Sequence, residues 1–349
     1  MPRLIDTTLF GLLHDFFKVY LPDQRHCSEH TIRAYRSSMD ALLEYVKAEK
    51  KVELSQITFD MIDSNMLSAY LDSVENNGCS ISTRNHRLKC IHSFFDYAAK
   101  FNPTTIIYFA EIQKVPRKNH IKSDVVDYMS ETAIKTLLEQ PDISTRKGFR
   151  DRFFMVLLYD SAARIQEMLN IRLRDIKLAT TPIVTLHGKG AKIRTVPLMK
   201  PTAEFCSQYL KMFHPNEPEY SEQNLFYNVI HGRQKPLNDS TVRRFLYAYG
   251  DAAKKRCPEV HDKVHPHLFR HSRAMHLYQH GMDLSLISQW LGHAQIETTL
   301  IYAHADTEQK RKAIEKATEP ESPLKEILNA DRFTISDGDT IKKLYGLKG

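Results

Sequence analysis

Helical spacing of apolar residues runs through most of this chain, and one short stretch departs from it. Ile183 to Leu186 and Arg194 to Leu198 are β-like, and His187-Gly188-Lys189-Gly190-Ala191-Lys192 joins them. Two such runs about a Lys-Gly-rich tip predict a β-hairpin. No other stretch reads convincingly as sheet. The fold class expected is therefore mainly α with a small antiparallel β-sheet. The 349 residues suggest two domains or one large one, and 42% hydrophobic content suffices for a sizeable core.

The first hundred residues read as a compact helical bundle. Leu9, Phe10, Leu13, Phe16, Phe17 and Tyr20 share one helix face. A second helix takes Ser28 as its N-cap and turns Ile32, Tyr35, Met39, Leu42, Leu43 and Val46 inward, with Arg33 and Arg36 outside. A third is expected from near Thr58, carrying Met61, Ile62, Met66, Leu67, Tyr70 and Val74. After Asn76-Asn77-Gly78 a fourth starts near Ser80 or Ser82, with Leu88, Ile91, Phe94 and Phe95 inward and Arg84 and Arg87 beside them. Residues 102–127 change character: Pro103 and Pro116 punctuate a basic run that includes Lys114, Lys118 and Lys122. Such a stretch reads as an interdomain linker. The expected division is 1–101, linker 102–127, a second domain over 128–318, and a tail over 319–349.

In the second domain, Ser130 caps a helix through Leu138, and Gly148 to Tyr159 reads as a buried core helix. A short helix begins near Arg164. Further helices cover Thr202 to Met212 and Ser240 to Lys255, the latter made basic by Arg243 and Arg244.

Lys plus Arg number 49 against 42 for Asp plus Glu, a net charge of +7. That excess is compatible with a polyanionic partner without establishing one. The five cysteines are scattered and none form a Cys-x-x-Cys pair. A reducing, cytoplasmic setting fits them better than a disulfide framework. No apolar run is long enough for a membrane span, and no signal peptide is read at the N-terminus.

One segment concentrates side chains that can hold or attack a phosphate. His265-Pro266-His267-Leu268-Phe269-Arg270-His271 is followed by a helical run, then Leu291-Gly292-His293, then Ile301-Tyr302-Ala303-His304. Arginine clamps phosphate bidentately and keeps its charge, and histidine exchanges protons near neutral pH. Each residue taken singly has a plainer reading as core or surface. Their order and spacing together do not.

That order resembles the tyrosine recombinase (phage integrase) family, whose signature runs Arg, Lys, His-x-x-Arg, His or Trp, Tyr. Here Arg164, Lys189, His267 with Arg270, His293 and Tyr302 match it. Ala162-Ala163-Arg164-Ile165-Gln166-Glu167 is similar to the family's Gly-Leu-Arg-x-x-Glu box, with Ala for Gly, and the hairpin is similar to its Gly-Lys-Gly-x-Lys-x-Arg-x-Val-Pro-Leu word. The resemblance spans roughly residues 7 to 317 and is most specific in the second domain. It implies an N-terminal SAM-like core-binding domain and a recombinase catalytic domain closing as a C-shaped clamp on DNA. It also implies strand cleavage and rejoining through a 3′-phosphotyrosyl bond, with no metal and no nucleotide cofactor.

The resemblance assigns roles as well. Tyr302 would be the nucleophile, Arg164 and Arg270 the phosphate clamp, Lys189 the acid for the leaving oxygen, and His267 a proton carrier. His293 would hydrogen-bond the phosphate, and Glu167 would orient its neighbours. His271 and His304 read as structural. Arg33, Arg36, Arg84, Arg87, Lys118, Lys122, Arg243 and Arg244 are candidate DNA contacts. The implied partners are double-stranded DNA at specific sites, copies of the same chain in a tetramer, and accessory proteins.

Three rivals compete: a type IB topoisomerase, a non-catalytic DNA-binding relative, and a zinc hydrolase. The last would use His267 and His271, four residues apart, but it lacks the expected Glu between them and an obvious third ligand. A chelator separates it from the others. Strand cleavage should persist in excess EDTA, and its loss there would favour the zinc reading.

Overall fold

The computed structural model describes residues 8–119, 126–188, 192–292 and 297–305, together with Arg311 and Lys342. The chain divides into two compact units, Met1–Lys122 and Ser123–Gly349. Both are mostly helical, and no described helix is long and apolar enough to cross a membrane.

In the first unit, α1 (Leu9–Asp15) runs on into a π-helical stretch, Phe16–Gln24. Then come α2 (Glu29–Lys50), α3 (Ser64–Asn76), α4 (Ile81–Phe101) and α5 (Ile106–Gln113). Short polar side chains set the helix starts by accepting an otherwise unpaired backbone N–H. Ser28 accepts from Thr31, Asp63 from Met66, and Ser80 from Thr83. Ser80, rather than Ser82, is therefore the cap of α4. Phe16, Leu42, Leu67, Phe94 and Phe95 meet in a fully buried core.

Two expectations shift here. The third helix begins at Ser64 rather than near Thr58, because Asp63 supplies the stronger cap; Phe59–Met61 is a separate 3-10 turn. Residues 102–118 of the expected linker are folded onto the first unit. Ile112 and Val115 lie in its core, and the Asn85 side chain brackets Lys118 through its backbone N–H and carbonyl. The two prolines read as breaks, but the apolar run between them is long enough to form α5.

The second unit contains α6 (Glu131–Leu138), α7 (Arg146–Ser161) and α8 (Ile165–Leu169). A three-stranded antiparallel sheet follows, made of β1 (Ile176–Lys177), β2 (Ile183–His187) and β3 (Ile193–Pro197) in that order. Val184 pairs with Val196 and Leu186 with Arg194, so these four side chains share one face, on which Val184, Leu186 and Val196 are fully buried. After α9 (Lys200–Phe213) comes a second hairpin, β4 (Tyr227–Ile230) with β5 (Arg233–Pro236). Its strands are largely exposed, so they carry no alternation of burial for a sequence reading to detect. Its turn pair His231-Gly232, with φ +49° and +73°, is the one local sign of it. The unit continues with α10 (Asp239–Lys254), α11 (Pro266–Gln279), α12 (Leu284–Leu291) and α13 (Glu297–Ala305).

Helix α7 is the axis of this unit. Phe153, Phe154, Met155, Leu157 and Leu158 are fully buried, and α9 and α11 pack against it. Helix α10 approaches the loop before α11 through Gly250. A Cβ added there would meet Val264 Cγ2 at 2.7 Å. Helix propensity alone favours Ala over Gly by about 1 kcal/mol. Overpacking against a buried, β-branched side chain costs about 1–3 kcal/mol and should win. Gly250→Ala is expected to destabilise the protein in urea unfolding. The double variant with Val264→Ala should lose less than the sum of the two single changes. Simple additivity would refute the clash.

Candidate active site

The site begins where α7 ends. Ala162 adopts a left-handed conformation, φ +50°, and turns the chain so that Arg164 opens α8. A non-glycine residue pays roughly 1–2 kcal/mol for that conformation. The turn presents a carbonyl to α11: Arg270 Nη1 donates to Ala162 O at 2.7 Å, and its Nη2 donates to Leu291 O at 2.6 Å, at the end of α12. Arg270 is only 4% exposed.

Glu167 is the counter-charge. Its carboxylate is 3% exposed and accepts from the Arg164 backbone N–H at 2.8 Å and from Arg164 Nη1 at 2.9 Å. A second guanidinium grips both oxygens, with Arg194 Nη1 and Nη2 each at 2.8 Å. Burial works to raise the Glu167 pKa. The Arg194 hydrogen bonds, the Arg164 N–H and the arginine charges outweigh it and hold the carboxyl at about 2. Arg270 sits in the same field. Burial first, then the positive charges of Arg164 and Arg194, bring it down to about 9, with Glu167 and Tyr302 opposing. Arginines crowded against one carboxylate leave an excess of positive charge, which suits a site for an anion.

Tyr302, on α13, is 1% exposed, and its hydroxyl is hydrogen-bonded to His271 Nδ1 at 3.0 Å. Burial pushes the phenol up to about 12, against the nearby charge of Arg270. Burial, with the charges of His267 and Arg270, brings His271 down to about 4. At neutral pH both partners are therefore uncharged. His267 lies one turn earlier on α11, exposed, its ring 6.5 Å from that of His271. Desolvation and the charges of Arg270 and Arg164 lower its pKa too.

The structure thus gathers Arg164, Glu167, Arg270, His267 and Tyr302 from α8, α11 and α13. Lys189 and His293 lie outside the described residues, as do Lys122 and the tail over 319–349 apart from Lys342. Two residues of the cluster were not picked out by sequence. His271 read as structural, yet it is the partner of the Tyr302 hydroxyl. Arg194 had a detectable signal: it shares the inward face of β3 with Val196, and a charge pointing inward needs a partner. Among the described residues no group of three or more His, Cys, Asp or Glu is disposed to hold a metal ion.

The candidate DNA contacts separate by exposure. Arg33, Arg36, Arg243 and Arg244 are exposed, Arg36 lying over the Phe17 ring and Arg243 paired with Asp239. Arg87 is half-buried and donates to Tyr70 OH, while Lys118 pairs with Glu75 and Asp72. Arg84 is a correction. It is 3% exposed, donates to the Pro116 carbonyl and faces Glu75, so it braces the first unit and cannot reach a duplex phosphate.

Residues 127–309 match the Phage integrase family, more than half of the chain, and residues 15–101 match the phage integrase N-terminal SAM-like domain. The chain belongs to the phage integrase family. It is a tyrosine site-specific recombinase. The recombinase is 33% identical over 313 residues to a Sinorhizobium fredii protein named as an integrase/recombinase, y4rC, covering 89% of this chain and 92% of that one. It is 29% identical over 306 residues to the tyrosine recombinase XerD of Staphylococcus haemolyticus, covering 86% and 96%. Its fold is similar to that of the XerH site-specific recombinase bound to its difH substrate after cleavage, with TM-score 0.63 and 24% identity over 83% of this chain and 80% of that one. It is also similar in fold to the Tn1549 transposon integrase in complex with transposon right end DNA, with TM-score 0.60 and 17% identity over 86% and 98%. Kinship with named recombinases favours strand exchange over the topoisomerase and non-catalytic readings.

In this recombinase the Glu167 cluster has a pH signature. A folded pKa of about 2 against an ordinary 4.5 means that its contribution is fully present above pH 4.5 and is lost as pH falls through 2. The shift corresponds to on the order of 3 kcal/mol. Glu167→Gln should therefore unfold at lower urea than wild type at pH 7, and the gap should close as pH approaches 2. An equal gap at both ends would contradict the assignment.

Proposed function

We propose that Tyr302 attacks a phosphodiester of duplex DNA at a specific site. The Tyr302 Oη–phosphorus bond forms as the phosphorus–O5′ bond breaks. The products are a 3′-phosphotyrosyl enzyme and a free 5′-hydroxyl, and the reverse step with a new 5′-hydroxyl rejoins the strands. Arg164 and Arg270 hold the non-bridging oxygens and stabilise the pentavalent transition state. Lys189 protonates the leaving O5′, His267 carries protons to and from the nucleophile, and His293 hydrogen-bonds the phosphate. Glu167 keeps Arg164 in place. Arginine charge fills the part that metal ions take in other phosphoryl transfers, and the phosphotyrosyl bond conserves the energy for resealing, so neither metal nor ATP enters the scheme.

The observation that carries this reading is the cluster of buried Arg270 and Glu167 with the half-exposed Arg164, and Tyr302 lies in the field of Arg270. Tyr302 is 1% exposed, so its hydroxyl must be uncovered before it can meet a phosphate, and the described arrangement corresponds to the resting protein.

In the same proposal, the first unit, with residues 102–118 folded onto it, and the catalytic domain over 128–318 both bind duplex DNA. Arg33, Arg36, Arg87, Arg243, Arg244, Lys118 and Lys122 supply phosphate contacts and make binding salt-dependent. Four copies synapse two duplexes, with accessory proteins where the reaction needs them, and residues 319–349 dock between neighbours. The protein works in the cytoplasm. The structural neighbours include a recombinase and an integrase in complex with DNA, in agreement with a DNA partner.

A nicked suicide duplex tests the scheme. Wild type should accumulate a covalent adduct, whose DNA can be sequenced to read the target. Tyr302→Phe should form none while still binding DNA. An adduct that persists in Tyr302→Phe would overturn the assignment of the nucleophile.

A further inference from the structure

Arg194 makes three directed donations at once. Two go to the two carboxylate oxygens of Glu167, each at 2.8 Å, and the third runs from Nε to the Trp290 carbonyl at 3.0 Å. Its side chain is 13% exposed. The next carbonyl along α12, Leu291 O, receives Arg270. The last carbonyls of a helix have no partner within it and sit at its negative end. Here adjacent carbonyls of that kind anchor two guanidinium groups that converge on the site.

The surroundings are shaped to admit this side chain. Gly292 ends α12 in the left-handed region, φ +64°, and a Cβ on it would meet Arg194 Cδ at 2.9 Å and Nη1 at 3.2 Å. Where β2 enters the turn of the hairpin, a Cβ on Gly188 would come within 3.1 Å of Glu167 Oε1. Strand β3, the carboxylate and the end of α12 are therefore packed around one guanidinium.

We infer that Arg194 is a positioning residue for the phosphate clamp: it holds Glu167, and through it Arg164, in fixed register with the end of α12 that carries Arg270. This inference rests on the proposed roles of Arg164 and Arg270. Lysine cannot replace it, because a single ammonium cannot grip both oxygens of Glu167 and reach Trp290 O together. Stability alone does not explain an arginine there, since a whole buried ion pair can often be replaced by well-packed apolar residues at little net loss. Its directional role is the reason to keep a charge there.

The test uses the full chain as wild type, Arg194→Lys, Arg194→Met and Gly292→Ala. The last variant crowds the arginine without removing any charge, and it also strains the left-handed turn at φ +64°. Duplex binding is measured first. Single-turnover adduct formation is then followed on two suicide duplexes. One carries an ordinary phosphate, and the other has sulfur in place of the bridging 5′-oxygen, whose thiolate leaves without a proton. We expect binding within about twofold of wild type, unchanged reaction amplitude, and a rate constant lower by about 10- to 100-fold in each variant, on both duplexes alike.

A wild-type rate restored on the sulfur duplex would overturn the inference, because it would place the defect in leaving-group protonation at the hairpin tip. A lower amplitude at an unchanged rate constant would overturn it too, reducing Arg194 to a fold-holding pair. If Arg194→Met fails to fold, the lysine and Gly292→Ala variants still decide the matter. Failure of wild type itself to form an adduct would count against the proposed function rather than against this inference.

Discussion

The confinement of like charges around one buried carboxylate is the constraint on which the second unit depends. Guanidinium groups do not gather in a protein interior unprompted. Arg270 is brought down to about 9 partly by the charges of Arg164 and Arg194, a direct sign of what their neighbourhood costs. Glu167 offsets part of that cost and is itself held at about 2 despite burial. Removing Glu167 would leave the largely buried Arg194 and Arg270 without a counter-charge, so the geometry is shared rather than assigned residue by residue.

Helix ends supply the rest of the frame. The left-handed residues Ala162 and Gly292 stop α7 and α12, and the carbonyls beside or within those turns hold Arg270 and Arg194. The chain thereby uses backbone acceptors, which carry no charge to compete with a phosphate, for the fine placement of cations. One carboxylate suffices because the carbonyls do the remaining anchoring. The nucleophile follows the same economy: in the resting protein the Tyr302 hydroxyl is satisfied by an uncharged histidine, and the excess positive charge stays available.

Much of this was legible before any coordinates. Ser28, Ser80 and Ser130 mark helix starts because a short oxygen-bearing side chain before an apolar-periodic run has few other uses. The alternation across the Lys-Gly tip locates β2 and β3 and, with them, the face that Arg194 shares. Other elements were hidden for physical reasons. Helix α5 lies between two prolines in a stretch that reads as linker. The β4–β5 hairpin is too exposed to alternate. Arg84, on a helix flank beside other basic residues, looks like a surface cation until the chain after α5 folds back and covers it. In each case local pattern and long-range packing disagree, and packing decides.

The amino-acid order by itself determined the helical class, the single patterned hairpin, and which residue types are available to hold a phosphate and attack it. Local propensity, capping and periodicity act over a few residues, so they survive in a linear reading. The tertiary structure alone decided that Arg194 grips Glu167, that His271 rather than His267 meets the Tyr302 hydroxyl, and that Arg84 is internal. Those facts depend on segments brought together from far apart in the chain. Only the folded backbone fixes which donor reaches which acceptor.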